Sequence, residues 1–134
     1  MNPPSPYFAT LLVAIGGGAG AALRYHAGRW IGTIVGLSTA FPWATFAINL
    51  IGSFAMGLLA GWLLKFGSGD ENWRLLLGVG VLGGFTTFSA FSLEMALLIE
   101  RGELALAASY AGFSVIGGVA GLFLGLALMR STTA

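Results

Sequence analysis

Four long apolar runs, separated by short polar stretches, dominate the chain. They cover about residues 8–32, 43–65, 73–99 and 104–129, and a polar loop at 65–72 separates the second run from the third. Each run exceeds the about 20 residues that an α-helix needs to cross the ~30 Å hydrocarbon core of a bilayer. We therefore predict an all-α membrane protein with four transmembrane helices.

The third run contains a segment that is poorly suited to a continuous helix. Residues 83–91 read GGFTTFSAF, and both glycine and β-branched threonine disfavour the helix. An unbroken helix over 73–99 would be roughly 40 Å long, which exceeds the hydrocarbon thickness. We predict that the helix breaks near 83–87, at mid-membrane, where freed amide and carbonyl groups are candidates for an ion site.

Two of the predicted helices carry a polar stripe. Thr45, Asn49 and Ser53 recur every four residues in the second helix and therefore share one face. Tyr110 and Ser114 lie one turn apart in the fourth helix. Such side chains either line a polar path or form hydrogen bonds between helices, and the sequence leaves both interpretations open.

Glu94 and Arg24 are charged residues that belong to apolar runs. Glu94 follows the glycine-threonine segment, and Arg24 belongs to the first run. An ionisable side chain within a membrane is by default a functional candidate. The alternative is that Glu94 lies near enough to the far interface to reach water, or that it pairs with an arginine such as Arg24.

Glycines recur at a four-residue spacing, which lets helix backbones approach closely. The pairs are Gly16/Gly20, Gly28/Gly32 and Gly57/Gly61, and a ridge in the fourth helix contains Gly117, Gly121 and Gly125. We predict tightly packed helices that enclose little room for a pore within one chain. Because one chain would enclose little room for a pore, this prediction favours a protein that functions together with a partner chain.

Composition narrows the possible functions. Hydrophobic residues make up 57% of the chain, charged residues make up 8%, and the net charge is +1, so nothing indicates a nucleic-acid partner. We expect one domain over residues 1–134.

With no cysteine and one histidine, a single chain has no disulfide framework and no Cys/His metal cluster. No nucleophile or phosphate loop supports an enzyme, and the first run lacks the preceding basic residues of a signal peptide.

Four transmembrane helices place both termini on the same side of the membrane, and the basic residues are divided equally between that side and the opposite one. The side of the termini contains Lys65, Arg74 and Arg130, and the opposite side contains Arg24, Arg29 and Arg101. The positive-inside rule therefore favours neither orientation. A chain that inserts both ways round can form an antiparallel homodimer whose twofold axis lies in the membrane plane.

The predicted break offers two kinds of ion chemistry if two chains meet there. Freed carbonyls from both chains would form a neutral oxygen cage suited to an alkali or alkaline-earth cation. The edges of phenylalanine rings carry partial positive charge and favour an anion. Amide or hydroxyl donors to an anion are available from Asn49, Thr87, Ser89, Tyr110 and Ser114. Because the chain has no row of basic residues, we expect a small, strongly hydrogen-bonding anion in a narrow path.

The segment GGFTTFSAFSLE at residues 83–94 resembles the signature of the Fluc (CrcB) fluoride channel family, Gly-Gly-x-Thr-Thr-Phe-Ser-x-Phe followed by a glutamate. The run NLIG at 49–52 and the glycine pattern that ends at Arg24 also match. The resemblance implies a dual-topology antiparallel homodimer in a bacterial plasma or inner membrane, with two fluoride pathways and a central structural sodium ion (Na+). Passive fluoride export through it would lower fluoride toxicity.

The resemblance also implies roles for individual residues. Backbone carbonyls of Gly83 and Thr86 from both subunits would bind Na+. Phe88 and Phe91 would form a box of ring edges around the fluoride path, using rings from both chains. Asn49 would donate a hydrogen bond to fluoride.

Further residues would belong to the ends and walls of the path. The resemblance implies a polar track through Thr87, Tyr110 and Ser114, with Arg24 and Glu94 toward the vestibules. This chain departs from the family pattern at Ala90, where threonine is often found, and at Gly118, which offers no hydroxyl for the track.

Two other classes of protein also fit four apolar helices. A small dual-topology multidrug antiporter is a four-helix antiparallel dimer, but it needs a proton-coupled carboxylate in helix one, where this chain has only Arg24. The second class is a non-transporting membrane assembly module, for which the glycine ridges alone would suffice.

Overall fold

The computed structural model describes residues 4–36, 39–66 and 71–131, so that part of the predicted 65–72 loop lies outside the described residues. In these ranges all regular structure is helical. The elements are α1 (Pro6–Val35), α2 (Trp43–Phe66), α3 (Glu71–Trp73), the π-helix π1 (Arg74–Leu82), α4 (Gly83–Phe85), α5 (Phe88–Glu100) and α6 (Leu104–Ser131). Four helical segments are long and apolar enough to cross a membrane, which confirms the all-helical prediction; the third of them extends from Glu71 to Glu100.

Local sequence explains where the first two helices begin and end. Ser5 precedes α1, its hydroxyl accepts the Phe8 N–H at 3.4 Å, and Pro6 occupies the first turn, where a missing N–H costs nothing. Gly36 ends α1 with a φ of 82°, a conformation that suits glycine. Pro42 directly precedes α2, as expected from the sequence.

The third segment differs in detail from its prediction. Gly83 and Gly84 are helical, although they belong to the predicted irregular stretch, and non-helical backbone is confined to Thr86 and Thr87. Their φ/ψ angles are −80°/158° and −150°/117°, both extended. Helix resumes at Phe88 because the Thr87 hydroxyl caps α5, accepting the Ala90 N–H at 3.2 Å. The preceding π-helix was not foreseen.

Glycines bring the helices together in two pairs, α1 with π1 and α2 with α6. A methyl group at Gly16 or Gly20 would overlap the backbone of π1, and one at Gly57 or Gly125 would overlap the backbone of the facing helix. The prediction of close backbone approach is therefore confirmed at these positions.

The Gly28/Gly32 pair does not mediate such an approach, so that prediction is wrong within the protomer. A methyl group at Gly32 would meet no atom within 4 Å, and one at Gly28 would meet only the tip of Ile48 at 3.8 Å. Spacing alone could not reveal that no backbone packs closely against these two glycines.

Candidate functional site

Asn49 binds the extended threonine pair from the neighbouring helix. Its side-chain Nδ2 donates to the Thr87 carbonyl at 3.1 Å, and its Oδ1 accepts the Thr87 N–H at 2.8 Å. The carboxamide thus satisfies both backbone groups of a residue that has left the helix, groups that are costly to leave unpaired in a membrane. One N–H of the carboxamide remains for a further acceptor.

The same hydrogen bonds release two carbonyl groups. In a continuous helix the N–H groups of Thr87 and Ala90 would donate to the carbonyls of Gly83 and Thr86. Here the Thr87 N–H donates to Asn49 and the Ala90 N–H donates to the Thr87 hydroxyl. The two carbonyls that the family resemblance implies for sodium have therefore lost their helical donors.

Arg24 reaches one of these carbonyls. Its Nη1 lies 3.4 Å from the Thr86 oxygen, in a half-buried position that ties α1 to the extended pair. A carbonyl oxygen has two lone pairs, so a second ligand remains possible. Glu94, for which the sequence offered Arg24 as one possible partner, accepts its hydrogen bonds from other residues.

Glu94 accepts hydrogen bonds from two other helices. Thr45 Oγ1 donates to one carboxylate oxygen at 2.6 Å, and Tyr110 Oη donates to the other at 2.7 Å. Tyr110 is fully buried, at 0% exposure, and the rings of Phe41 and Phe91 pack against it with centroid separations of 5.3 and 4.9 Å. The carboxylate thus joins α2, α5 and α6, and the hydroxyl predicted to belong to the polar track is engaged by Glu94.

The two phenylalanines of the predicted box lie side by side at the start of α5. Their ring centroids are 5.7 Å apart, with an angle of 34° between the planes. Phe88 is 79% exposed on the protomer surface, whereas Phe91 is half-buried against Tyr110. Phe88 is therefore available to a second chain.

Two cavities border the threonine pair. One, of about 290 Å³, is lined by residues that include Asn49, Ser53, Thr86, Thr87 and Phe88. The other, of about 530 Å³, is lined by residues that include Arg24, Arg29, Thr45, Thr87 and Ser89. Thr87 lines both, so this residue lies between the smaller cavity and the larger one, which carries two arginines.

Ser114 is one turn from Tyr110 on α6, and its hydroxyl is buried with no hydrogen-bond partner among the described residues. A buried unpaired hydroxyl is costly and calls for an explanation. Farther along α6, a methyl group at Gly118 would lie 3.4 Å from the Ser53 hydroxyl. The polar stripes of α2 and α6 therefore face each other at this level.

Sequence reasoning missed two contributors to the site. Thr45 was recognised as a member of the α2 stripe, but its bond to Glu94 was not predicted. Phe41, in the connection before α2, covers Tyr110, and no motif marked it. The stripe spacing was the only signal for Thr45, and it cannot identify a partner on a distant helix.

Known proteins resemble the chain over nearly its full length. The family described as CrcB-like protein, Camphor Resistance (CrcB) matches residues 11–126. The Fluoride-specific ion channel FluC of Novosphingobium aromaticivorans is 66% identical over 122 residues, which cover 91% of this chain and 96% of the relative. The Fluoride-specific ion channel FluC of Erythrobacter litoralis is 52% identical over 133 residues, 97% of this chain and 98% of the relative.

These relatives are ion channels rather than enzymes. Together with the four apolar helical segments, they identify the chain as a multi-pass bacterial membrane protein. Because the family match extends over most of the sequence, the chain belongs to the CrcB-like family.

Proposed function

We propose that this protein is a passive fluoride channel. The observation that carries the proposal is the carboxamide of Asn49 at the extended threonine pair, beside a cavity lined also by Phe88, in a chain 66% identical to a fluoride-specific ion channel. This geometry presents fixed hydrogen-bond donors at a narrow place between apolar helices.

Fluoride is strongly hydrated, and its water must be replaced by donors that are already in position. Donors are available from the second N–H of Asn49, from the unpaired hydroxyl of Ser114, and from one of the hydroxyls of Thr87 and Ser89, since those two share a hydrogen bond of 3.3 Å. The N-terminus of α5 adds a positive dipole end beside Phe88, and ring edges add further partial positive charge.

The larger cavity suits the approach of an anion. Arg24 and Arg29 both line it, and a concave site with one sign of charge raises the local concentration of the opposite ion. Because HF crosses membranes uncharged and dissociates inside the cell, a passive leak of the anion would let fluoride escape and lower its toxicity.

The working unit in this proposal is an antiparallel homodimer with two pathways. Phe88 is 79% exposed on the protomer, and the cavities beside it are open, so a second chain would complete the walls. Three basic residues at each end leave the chain without a preferred orientation. In the dimer, the threonine pairs of both protomers meet on the twofold axis.

A structural sodium ion fits the released carbonyls of Gly83 and Thr86. Oxygen-only ligands suit a hard cation, and among the described residues no cluster of three or more His, Cys, Asp or Glu side chains could hold a metal instead. Two chains would supply four such carbonyls. When bound, the ion would offset the partial negative charge of these carbonyl oxygens.

Fluoride efflux from liposomes tests the proposed function. With valinomycin and potassium to carry charge and no pH gradient, a fluoride electrode should record fast release from liposomes that contain the protein. Release that requires a pH gradient would indicate an antiporter, and no release would indicate an assembly module; either result contradicts the proposal. Liposomes with the Asn49→Asp variant serve as the control.

Cysteine labelling tests the antiparallel arrangement, because the native chain has no cysteine. A Glu100→Cys variant places one thiol at the exposed end of α5. A membrane-impermeant maleimide applied to intact cells should label about half of the chains if both orientations are present. Labelling of all chains or of none would contradict dual topology.

Sodium removal tests the cation site. Replacing sodium by N-methylglucamine should lower the thermal midpoint of the purified dimer, since a ligand that binds only the assembled form stabilises it. Both cations are supplied as chloride salts at equal ionic strength, so that only the identity of the cation differs between the samples. An unchanged midpoint across the sodium titration would contradict a structural ion.

A further inference from the structure

Positions on α2 and α6 lie opposite one another, one turn apart, along the contact between these two helices. The pairs, in order along both helices, are Thr45 with Tyr110, Asn49 with Ser114 and Ser53 with Gly118. The first pair shares Glu94 as its acceptor, and the third is in close approach. Because the outer pairs are in register, the middle pair lies at the level between them.

The third pair has a single polar side chain, that of Ser53. A methyl group on Gly118 would lie 3.4 Å from the Ser53 oxygen and would meet no other atom within 4 Å. The hydroxyl therefore points toward a place where α6 has no side chain. Among the described residues this hydroxyl has no hydrogen bond, although Ser53 is partly buried.

The middle pair also has donors without an acceptor. The Ser114 hydroxyl is buried and unpaired within the described ranges, and the Asn49 carboxamide keeps one N–H after it has bound Thr87. A buried donor that no protein group satisfies indicates a ligand or a water molecule. The donors of Asn49, Ser114 and Ser53 thus lie within about one turn of each other.

The cavity beside the threonine pair connects these donors to the proposed path. Asn49 and Ser53 both line it, and so does Phe88. One turn beyond the third pair its lining is apolar, with Met56 on α2 and Leu122 on α6. Ser53 is therefore the last hydroxyl on this side of the cavity.

We propose that the Ser53 hydroxyl is a further fluoride ligand, which holds the anion in the space left by Gly118, one turn from Asn49. The inference rests on the proposed channel function. A hydroxyl can replace one water molecule of the anion's hydration shell. In this chain α2 would thus supply the hydroxyl that α6 lacks at position 118.

The initial rate of fluoride efflux from liposomes tests the role of Ser53. Ser53→Ala should lower the rate by about tenfold, because the transition state for passage loses one hydrogen bond to an ion. Ser109→Ala is the control, since its hydroxyl is exposed and bonded to the Ala105 carbonyl. Rates are taken per protein, from samples that elute like the native protein on size-exclusion chromatography.

Two double variants separate the hydroxyl from its packing. Ser53→Ala/Gly118→Ser returns a hydroxyl to the same place from the opposite helix, and it should recover most of the native rate. Ser53→Ala/Gly118→Ala fills the same space without a donor and should remain slow. In both, Ser53→Ala removes the oxygen that the new side chain would otherwise approach.

The native protein is measured first. No efflux from it would overturn the channel function and this inference together, whereas fast native efflux leaves the variants to test Ser53 alone. A native rate for Ser53→Ala would then overturn the ligand role while the channel function stands. Equal rates for the two double variants would overturn it too, because a hydroxyl at this place would make no difference.

Discussion

Asn49 binds both backbone groups of Thr87 through its carboxamide, which keeps a second N–H, and the residue lines the smaller of the two cavities at the threonine pair. Asn49→Asp should reduce fluoride efflux by at least about tenfold. A carboxylate would repel the anion and would face the Thr87 carbonyl without a donor, and the loss of one charge-assisted hydrogen bond, about 1.5–3 kcal/mol, suffices for that factor. The measurement is the initial efflux rate per protein in liposomes.

Ile51→Val, two residues along α2 on an exposed face, is the control for that substitution. It should leave the rate unchanged. If Asn49→Asp retained the native rate while folding normally, the carboxamide would have no part in conduction, and the role proposed for Asn49 would have to be abandoned.

Tyr110 contributes to stability through Glu94. Tyr110→Phe keeps the ring that packs under Phe41 and Phe91 but removes the 2.7 Å hydrogen bond to the carboxylate. Leaving that acceptor with Thr45 alone should destabilise the fold by about 1–3 kcal/mol. This effect is measured as the thermal midpoint in detergent, which is monitored by the loss of the monodisperse peak on size-exclusion chromatography.

Ser109→Ala supplies a matched comparison, because it also removes a hydroxyl from α6 but one that is exposed and bonded only to the Ala105 carbonyl. Its midpoint should stay near the native value. Equal midpoints for Tyr110→Phe and Ser109→Ala would show that the hydrogen bond between Tyr110 and Glu94 adds no stability.

These residue pairs mark the limit of what the sequence could predict. The residue types were sufficient to single out Asn49, Glu94 and Tyr110, since polar groups in apolar runs are rare. Their partners were not predictable, because Asn49 and Thr87 are 38 positions apart and Thr45 and Glu94 are 49 apart. Only the packing of helices brings them within hydrogen-bonding distance.

Helix pairing depends on glycines that leave no room for a side chain. At Gly20 a methyl group would overlap the Val81 carbonyl oxygen, whereas at Gly18 it would meet no atom within 4 Å. Gly20→Ala should therefore destabilise the protein by about 1–3 kcal/mol through overpacking. Gly18→Ala, on the same helix, should be neutral or slightly stabilising, because alanine is the better helix former.

The midpoint of thermal aggregation in detergent distinguishes the two alanine variants. Equal stability for both would contradict the close packing of α1 against π1. A lower midpoint for Gly18→Ala alone would instead indicate that the exposed face of α1 carries an interface.

The helices themselves could be predicted from the length and hydropathy of the apolar runs, and each observed end lies within about one turn of its predicted position. Non-helical backbone is limited to Thr86 and Thr87, a shorter stretch than the break predicted near 83–87. Gly83 and Gly84 stay helical because π1 and α1 hold them, and only Thr86 and Thr87 extend. The π-helix has no sequence signal of the kind used for α-helices.

The whole protomer has a small interior for its length. Among the described residues the buried apolar side chains are Ile48, Leu98, Ala107 and Tyr110, and most other large apolar side chains face outward. Such a surface is expected where lipid or a second chain covers it. The threonine pair, bound by Asn49 and contacted by Arg24, is the place where polar backbone interrupts this apolar body.

Electrical recording of the purified protein in a planar bilayer tests the central claim most directly. With fluoride at different concentrations on the two sides and equal pH, we expect a current that reverses near the fluoride equilibrium potential and does not change when a chloride gradient is imposed. A bilayer that carries protein but shows no current, or a reversal potential that follows chloride or protons, would contradict the account.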